Sequence, residues 1–237
     1  MSHPARRTFL KHAGLSAASL VALPGLAQAA AGTGSTVTVP RDLAMEWEDE
    51  QQQDPWDTAW PARITGKHKA MFDIPEIEGG AGVLRSGIWQ RQYMEALKVP
   101  QSELSAVMVI RHNAIFLAMN QEFWTTYEVG KAEKIKNDAG KTQQTNPVLP
   151  APNGPTPPAS MASLLLDRQI ANGAIALGCG LAYRSVVSLI QKKDKITPAE
   201  ARTKANSMLV PGVIMQPSGI FANVLAQQAG CVFVQAV

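Results

Sequence analysis

Apolar residues along the chain gather into short runs, each ended by glycine, proline or a polar group. Ala106–Ile110 (AVMVI) and Ala174–Leu177 (AIAL) contain no polar member. Runs of that length without alternation predict strands covered on both faces. Lys67–Ile77 alternates weakly and predicts a first strand ending near Pro75; Pro211–Gln216 and Cys231–Val234 predict the fourth and fifth. Between them, Leu84–Leu97 spaces Leu84, Ile88, Tyr93, Met94 and Leu97 as a helix does, with Gly87 its weak point. Ala114–Tyr127, Leu164–Ile170, Leu181–Ile190 and Ile220–Ala229 predict further helices, with stop signals at Asn172-Gly173 and Gly230. Thr197-Pro198-Ala199-Glu200 predicts a capping box that opens a helix reaching about Met208. Strands alternating with helices predict βαβ units, and so an α/β fold around a mainly parallel sheet.

Two regions fall outside this alternation. Lys131–Ser160 begins Lys-rich and then carries Pro147, Pro150, Pro152, Pro155, Pro157 and Pro158, which predicts an extended insertion over 131–160: a surface or inter-subunit strap, or a lid. Residues 30–65 form a linker followed by an acidic, Gln-rich arm. Trp47, Trp56 and Trp60 lie there, three of the five tryptophans. That much aromatic surface predicts an arm packed on the body or on a neighbouring subunit, or closing over a ligand.

Residues 1–29 read as a signal peptide. Arg6-Arg7 is followed by Phe9, Leu10 and Lys11, then an Ala/Gly/Leu-rich stretch, then Ala27-Gln28-Ala29 as a cleavage site. The paired arginines predict export by the twin-arginine translocase into the periplasm. No run reaches membrane-spanning length, so no stable membrane span is expected. The chain of 237 residues carries 22 Lys+Arg against 19 Asp+Glu, a formal charge of +3. Without Arg6, Arg7 and Lys11 the basic count is 19, and the rest of the chain is neutral. That balance speaks against nucleic acid as a partner. Of the 4 histidines, His3 and His12 belong to the leader; His68 and His112 alone do not make a multi-His metal site. Gly79, Gly80 and Gly82 do not fit a dinucleotide-binding spacing, and no cofactor motif is legible.

Candidate chemistry lies at the breaks that follow the strands. In a parallel sheet these share the carboxyl edge, where ligands bind. Four breaks belong there: Asp73–Glu76, Arg111-His112-Asn113, Gly178-Cys179-Gly180 and Pro217-Ser218-Gly219. Cys179 stands between a strand end and a helix start, where the positive end of the helix favours a negative sulfur and the flanking glycines allow close approach. It is either a reactive thiol or a buried cysteine that packs as a small apolar residue. His112 is either the base or hydrogen-bond partner of Cys179 or a structural histidine. Arg111 either holds an anionic ligand or pairs with Asp73 or Glu76. Asn113, Gly178, Gly180 and Gly219 complete the edge, and Ser218 is placed to cap the helix after it. A Cys179–Cys231 disulfide is not expected. Cys179 closes a strand at the carboxyl edge and Cys231 opens one at the amino edge, about 17 Å away along a five-residue strand.

Together these features resemble the DsrE/DsrF-like family of sulfur-relay proteins. The residues that carry the likeness are the strand ending in Gly178-Cys179-Gly180, the Leu209–Val213 stretch (LVPGV), Pro217-Ser218-Gly219-Ile220, and the closing stretch Gln227–Val234. The likeness runs over residues 66–237, with 131–160 as an insertion and the export leader and Trp-rich arm as departures. It implies a three-layer α/β/α body with a five-stranded sheet and assembly into oligomers. At Cys179 it implies a persulfide that is accepted and passed on, and so a small sulfur-containing ligand. The alternative is a non-catalytic oligomeric binding module in which Cys179 lines a pocket.

Overall fold

A computed structural model describes residues 56–137, 139–154 and 156–237. The predicted leader and the larger part of the arm, Trp47 included, lie outside the described residues.

The two wholly apolar runs take interior positions in a sheet of five strands: β1 (His68–Ile74), β2 (Leu104–Ile110), β3 (Ile175–Cys179), β4 (Val213–Gln216) and β5 (Val232–Gln235). Every pairing is parallel, in the order β4-β3-β2-β1-β5. All residues of β2 and β3 are buried, which is why their sequences carry no alternation. The helices are α1 (Ala81–Ala96), α2 (Gln121–Thr126), α3 (Leu166–Ala171), α4 (Gly180–Asp194), α5 (Pro198–Ser207) and α6 (Gly219–Gln228).

Alternation along the strands divides the core in two. Ala70, Phe72, Ile74, Ala106, Met108, Ile110 and Ala176 face a layer that includes Val83 of α1 and Val186 and Ile190 of α4. Met71, Val107, Val109, Ile175 and Leu177 face the opposite way, onto Ala222 and Ala226 of α6 and onto Trp60. The result is the expected three-layer α/β/α arrangement. α5 packs on α4, with the capping box at Thr197 formed: the Thr197 hydroxyl accepts from the Glu200 N–H, and the Glu200 carboxylate accepts from the Thr197 N–H. Among the described residues no helix is long and apolar enough to cross a membrane.

One predicted helix is replaced by something else. Ala114–Tyr127 does not run as one helix. A 3-10 stretch occupies His112–Ala118, the chain extends at Met119, and α2 starts after Asn120. The cause is tertiary. Met119 bridges Leu209, Val210 N–H donates to the Ala118 carbonyl (2.8 Å), and Asn120 N–H donates to the Met208 carbonyl (2.8 Å). Residues 114–119 are all buried, so an unbroken apolar run here marks burial from every side rather than a helical face.

The Pro-rich insertion is pinned to this corner. Helical turns at Val129–Ala132 and Ala159–Ala162 border it, and Lys136 bridges Thr142 within it. Asn146, 1 % exposed, donates to the carbonyls of Leu117 (2.9 Å) and Met119 (2.7 Å) and accepts from Val148 N–H (3.1 Å). Gln121 donates to the carbonyls of Asn146, Leu149 and Pro150. Asn146→Leu leaves three buried backbone groups without partners. The expected loss is about 2–3 kcal/mol, read from the denaturant midpoint; an unchanged midpoint would show that water replaces the amide.

Candidate functional site

The sheet brings three polar side chains to one face at its carboxyl end. Asp73, Cys179 and Gln216 continue the alternation of Met71, Leu177 and Ile214, so all three lie on the α6 side. Cys179 and Gln216 are register partners. Ile110 pairs Gly178, so Arg111, one residue on, stands beside Cys179, and its place in the alternation puts its side chain on the same face.

Arg111 turns toward β1. Its Nε donates to Asp73 Oδ1 (2.6 Å) and its Nη2 to Oδ2 (2.7 Å), so the pairing anticipated between these residues is a bidentate fork. The Asp73 side chain is 5 % exposed and the Arg111 side chain 25 %. Asn223 of α6 adds a third bond to the carboxylate, Nδ2 to Oδ1 at 3.1 Å. Burial alone would raise the Asp73 carboxyl. The hydrogen bonds from Arg111 and Asn223, with the Arg111 charge, outweigh it and hold the carboxyl below the usual range. Arg111 in turn is held above its ordinary value, first by the bond to Asp73 and against its own partial burial. The charges of Asp73 and Glu76 act in the same direction.

Cys179 is the N-cap residue of α4, a helix of 15 residues, with an extended backbone (φ −75°, ψ 115°). It is 6 % exposed. The residues that cover this corner come from the end of the arm. Trp60, 1 % exposed, donates its indole N–H to Gln216 Oε1 (2.9 Å), and Gln216 donates to the Asp57 carbonyl (2.7 Å). Trp56 rests over Gly180: a Cβ there would come within 3.0 Å of the indole and 2.8 Å of the Gln216 carbonyl. The C-terminal end of the arm, residues 56–63, therefore packs on the body.

The other predicted site residues divide by role. Ser218 Oγ accepts from Phe221 N–H (3.0 Å), which makes it the cap of α6. Gly219 gives room to the Arg111 stem, since a Cβ there would meet Arg111 Cδ at 2.7 Å. Gly178 serves the opposite face of the sheet, where Met215 occupies the space a side chain would need. His112 and Asn113 are exposed. His112 opens the 3-10 stretch with a positive φ of 49°, a conformation that costs a non-glycine residue on the order of 1 kcal/mol. Among the described residues no hydrogen bond joins its imidazole to Cys179.

Cys179 and Cys231 are both free and buried. Three strand spacings and the length of the sheet separate them, in keeping with the expectation of no bridge. Burial pushes the Cys231 thiol up, and the Lys69 ammonium pulls weakly the other way.

Gln216, Asn223 and Trp60 belong to the site and were not singled out for it from the sequence. The available signal was a lone amide closing an apolar strand (VIMQ) and another inside an apolar helix (IFANVLA). Asn223 Oδ1 is buried and has no hydrogen-bond partner among the described residues. Among those residues no group of three or more His, Cys, Asp or Glu could hold a metal ion. No family model, no curated protein and no solved structure matches the chain.

Proposed function

We propose that the chain is an exported, DsrE-like carrier of sulfane sulfur, with Cys179 as the acceptor, working as a homo-oligomer in the periplasm. The observation that carries this reading is the juxtaposition of Cys179, at the positive end of α4, with a tethered arginine on the same face of the sheet edge. In the step this implies, the Cys179 thiolate attacks the outer sulfur of a donor persulfide, R–S–SH. The donor S–S bond breaks, R–S⁻ leaves, and Cys179 holds the transferred sulfur as a persulfide. Charge on that terminal sulfur would be met by the first N–H groups of α4 and by Arg111, whose Nη1 is not engaged by Asp73. The burial of Cys179 beneath the Trp56–Trp60 segment favours a second reading, a passive binding module with a packed cysteine.

The test is incubation of the full chain with glutathione persulfide, followed by peptide mass analysis. The Cys179 peptide should gain one sulfur atom and the Cys231 peptide none. Cys179→Ser should abolish uptake, and Arg111→Lys should reduce it at least tenfold, because lysine cannot reproduce the fork to Asp73. Uptake on neither cysteine, or equally on both, leaves the passive module as the account.

A further inference from the structure

Residues 205–237 contain no Asp, Glu, Lys, Arg or His, in a chain that is 17 % charged. This stretch builds β4, α6 and β5, and much of it is open to water. On the outer side of α6, Ile220 is 75 % exposed and Val224 47 %. On and beyond β5, Val232 is 67 % exposed, Phe233 46 % and Val237 43 %. Ile220, Val224, Phe233 and Val237 lie on the α6 side of this edge; Val232, the register partner of Ala70, lies at the same edge on the opposite face of the sheet. Asn223 reaches Asp73 of β1, so the flank of α6 that carries Ile220 and Gln227, three and four residues away, turns toward β1 and its neighbour β5. Phe233 is the register partner of Met71 and lies on the α6 face of the sheet; Val237 follows it in the alternation.

β5 is also an edge. Among the described residues it pairs with β1 alone, and no lysine, proline or charged residue within β5 blunts its free side. A neutral surface offers nothing to steer or hold a charged partner, whereas it is compatible with itself. The exposed apolar area of the five side chains is roughly 500 Å², close to the apolar share of the roughly 800 Å² that each partner contributes to a standard interface. The chain's own residues 42–55 fit this surface poorly, since Asp42, Glu46, Glu48, Asp49, Glu50 and Asp54 would have to give up water against apolar groups.

We propose that two copies of the chain associate about a two-fold axis at β5, the two edge strands pairing antiparallel into one continuous sheet. Ile220 and Val224 of both α6 helices close over the junction on one side. This gives a face to the assembly in the functional reading above and rests on that part of it; mass and Cys179 chemistry are separate readouts, so either can fail alone.

The test is the light-scattering mass of the full chain at tens of micromolar. The parent should have twice the chain mass. Phe233→Lys and Ile220→Lys should each weaken association roughly a hundredfold or more, because the same charge then faces itself across the axis, and should run as monomers. Leu97→Lys, at an apolar residue 59 % exposed outside this stretch, should leave the dimer intact. An equimolar mixture of Phe233→Lys and Phe233→Asp should recover the doubled mass, which misfolded variants cannot do. A dimer that survives both lysine variants overturns the proposal, and so does a monomeric parent. If a thiol placed by Phe233→Cys in that monomer reacts only after deletion of residues 42–55, the occupant is the chain's own acidic segment.

Discussion

Replacing Arg111 with alanine should lower the unfolding free energy by about 3 kcal/mol at neutral pH, the low end of the cost of breaking a buried pair, since a quarter of the Arg111 side chain is open to water. The loss comes from what is left behind. Asp73 would keep only the Asn223 amide, in a place 3 % exposed. The pH dependence separates this cause from lost packing. In the parent the Asp73 carboxyl is held below its ordinary value, so its contribution is fully present above about pH 4, the unfolded carboxyl value, and is lost as pH falls through the lower folded value. In Arg111→Ala burial acts with little opposition and raises the folded value. The deficit is then largest at neutral pH and shrinks on acidification, as the carboxyl protonates. Chemical denaturation at pH 7 and pH 4 reads both slopes. Asp73→Asn should cost less, about 1–2 kcal/mol, because the arginine it frees can turn to water. A deficit in Arg111→Ala that does not change with pH would show that the stem against Gly219, not the charge, supplies the stability.

The parts of this molecule legible in its sequence are those governed by neighbours along the chain. β2 and β3 were readable because their central runs, buried on both faces, carry no polar residue to confuse the pattern. The Thr197–Glu200 box and the Ser218 cap were readable because each is closed within three residues. The Asp73–Arg111 pair was accessible from topology alone, since both residues end strands at one edge. The contacts that complete the site lie far apart in sequence: Trp60 and Gln216 are 156 positions apart, and Asp73 and Asn223 are 150. No local signal marks which amide an indole will find. The mistaken helix over Ala114–Tyr127 has the same origin. Its apolar run satisfies a helical pattern, but Leu209 and Val210 compete for its backbone and win. His112 shows the limit on the functional side. Its position at the end of the strand beside Cys179 was inferable, but its left-handed backbone and its exposure to water were not.

Trp60→Ala should have the largest effect on stability, about 3–5 kcal/mol, and should also expose Cys179. Trp60 is among the largest fully buried side chains and packs with Met71, Val107, Val109 and Leu177 beneath the C-terminal end of the arm. Its removal leaves a cavity and deprives Gln216, 0 % exposed, of its indole donor. Trp60→Phe keeps a six-membered ring but loses the N–H and part of the indole volume, so about 2 kcal/mol is expected from the unpaired Gln216 amide oxygen and the smaller ring together. The segment 56–63 then has less to hold it against the sheet edge, and its local opening becomes more frequent. Each 1.4 kcal/mol taken from that opening raises the open population about tenfold, so iodoacetamide should reach Cys179 at least ten times faster in Trp60→Ala than in the parent. Cys231 supplies the control. It belongs to the same apolar cluster as Trp60 but opens β5 at the opposite end of the sheet. Fast labelling of Cys179 with Cys231 still silent means that the arm gates the thiol. Labelling of both at one rate means that the protein unfolds as a whole and that the arm is a structural brace.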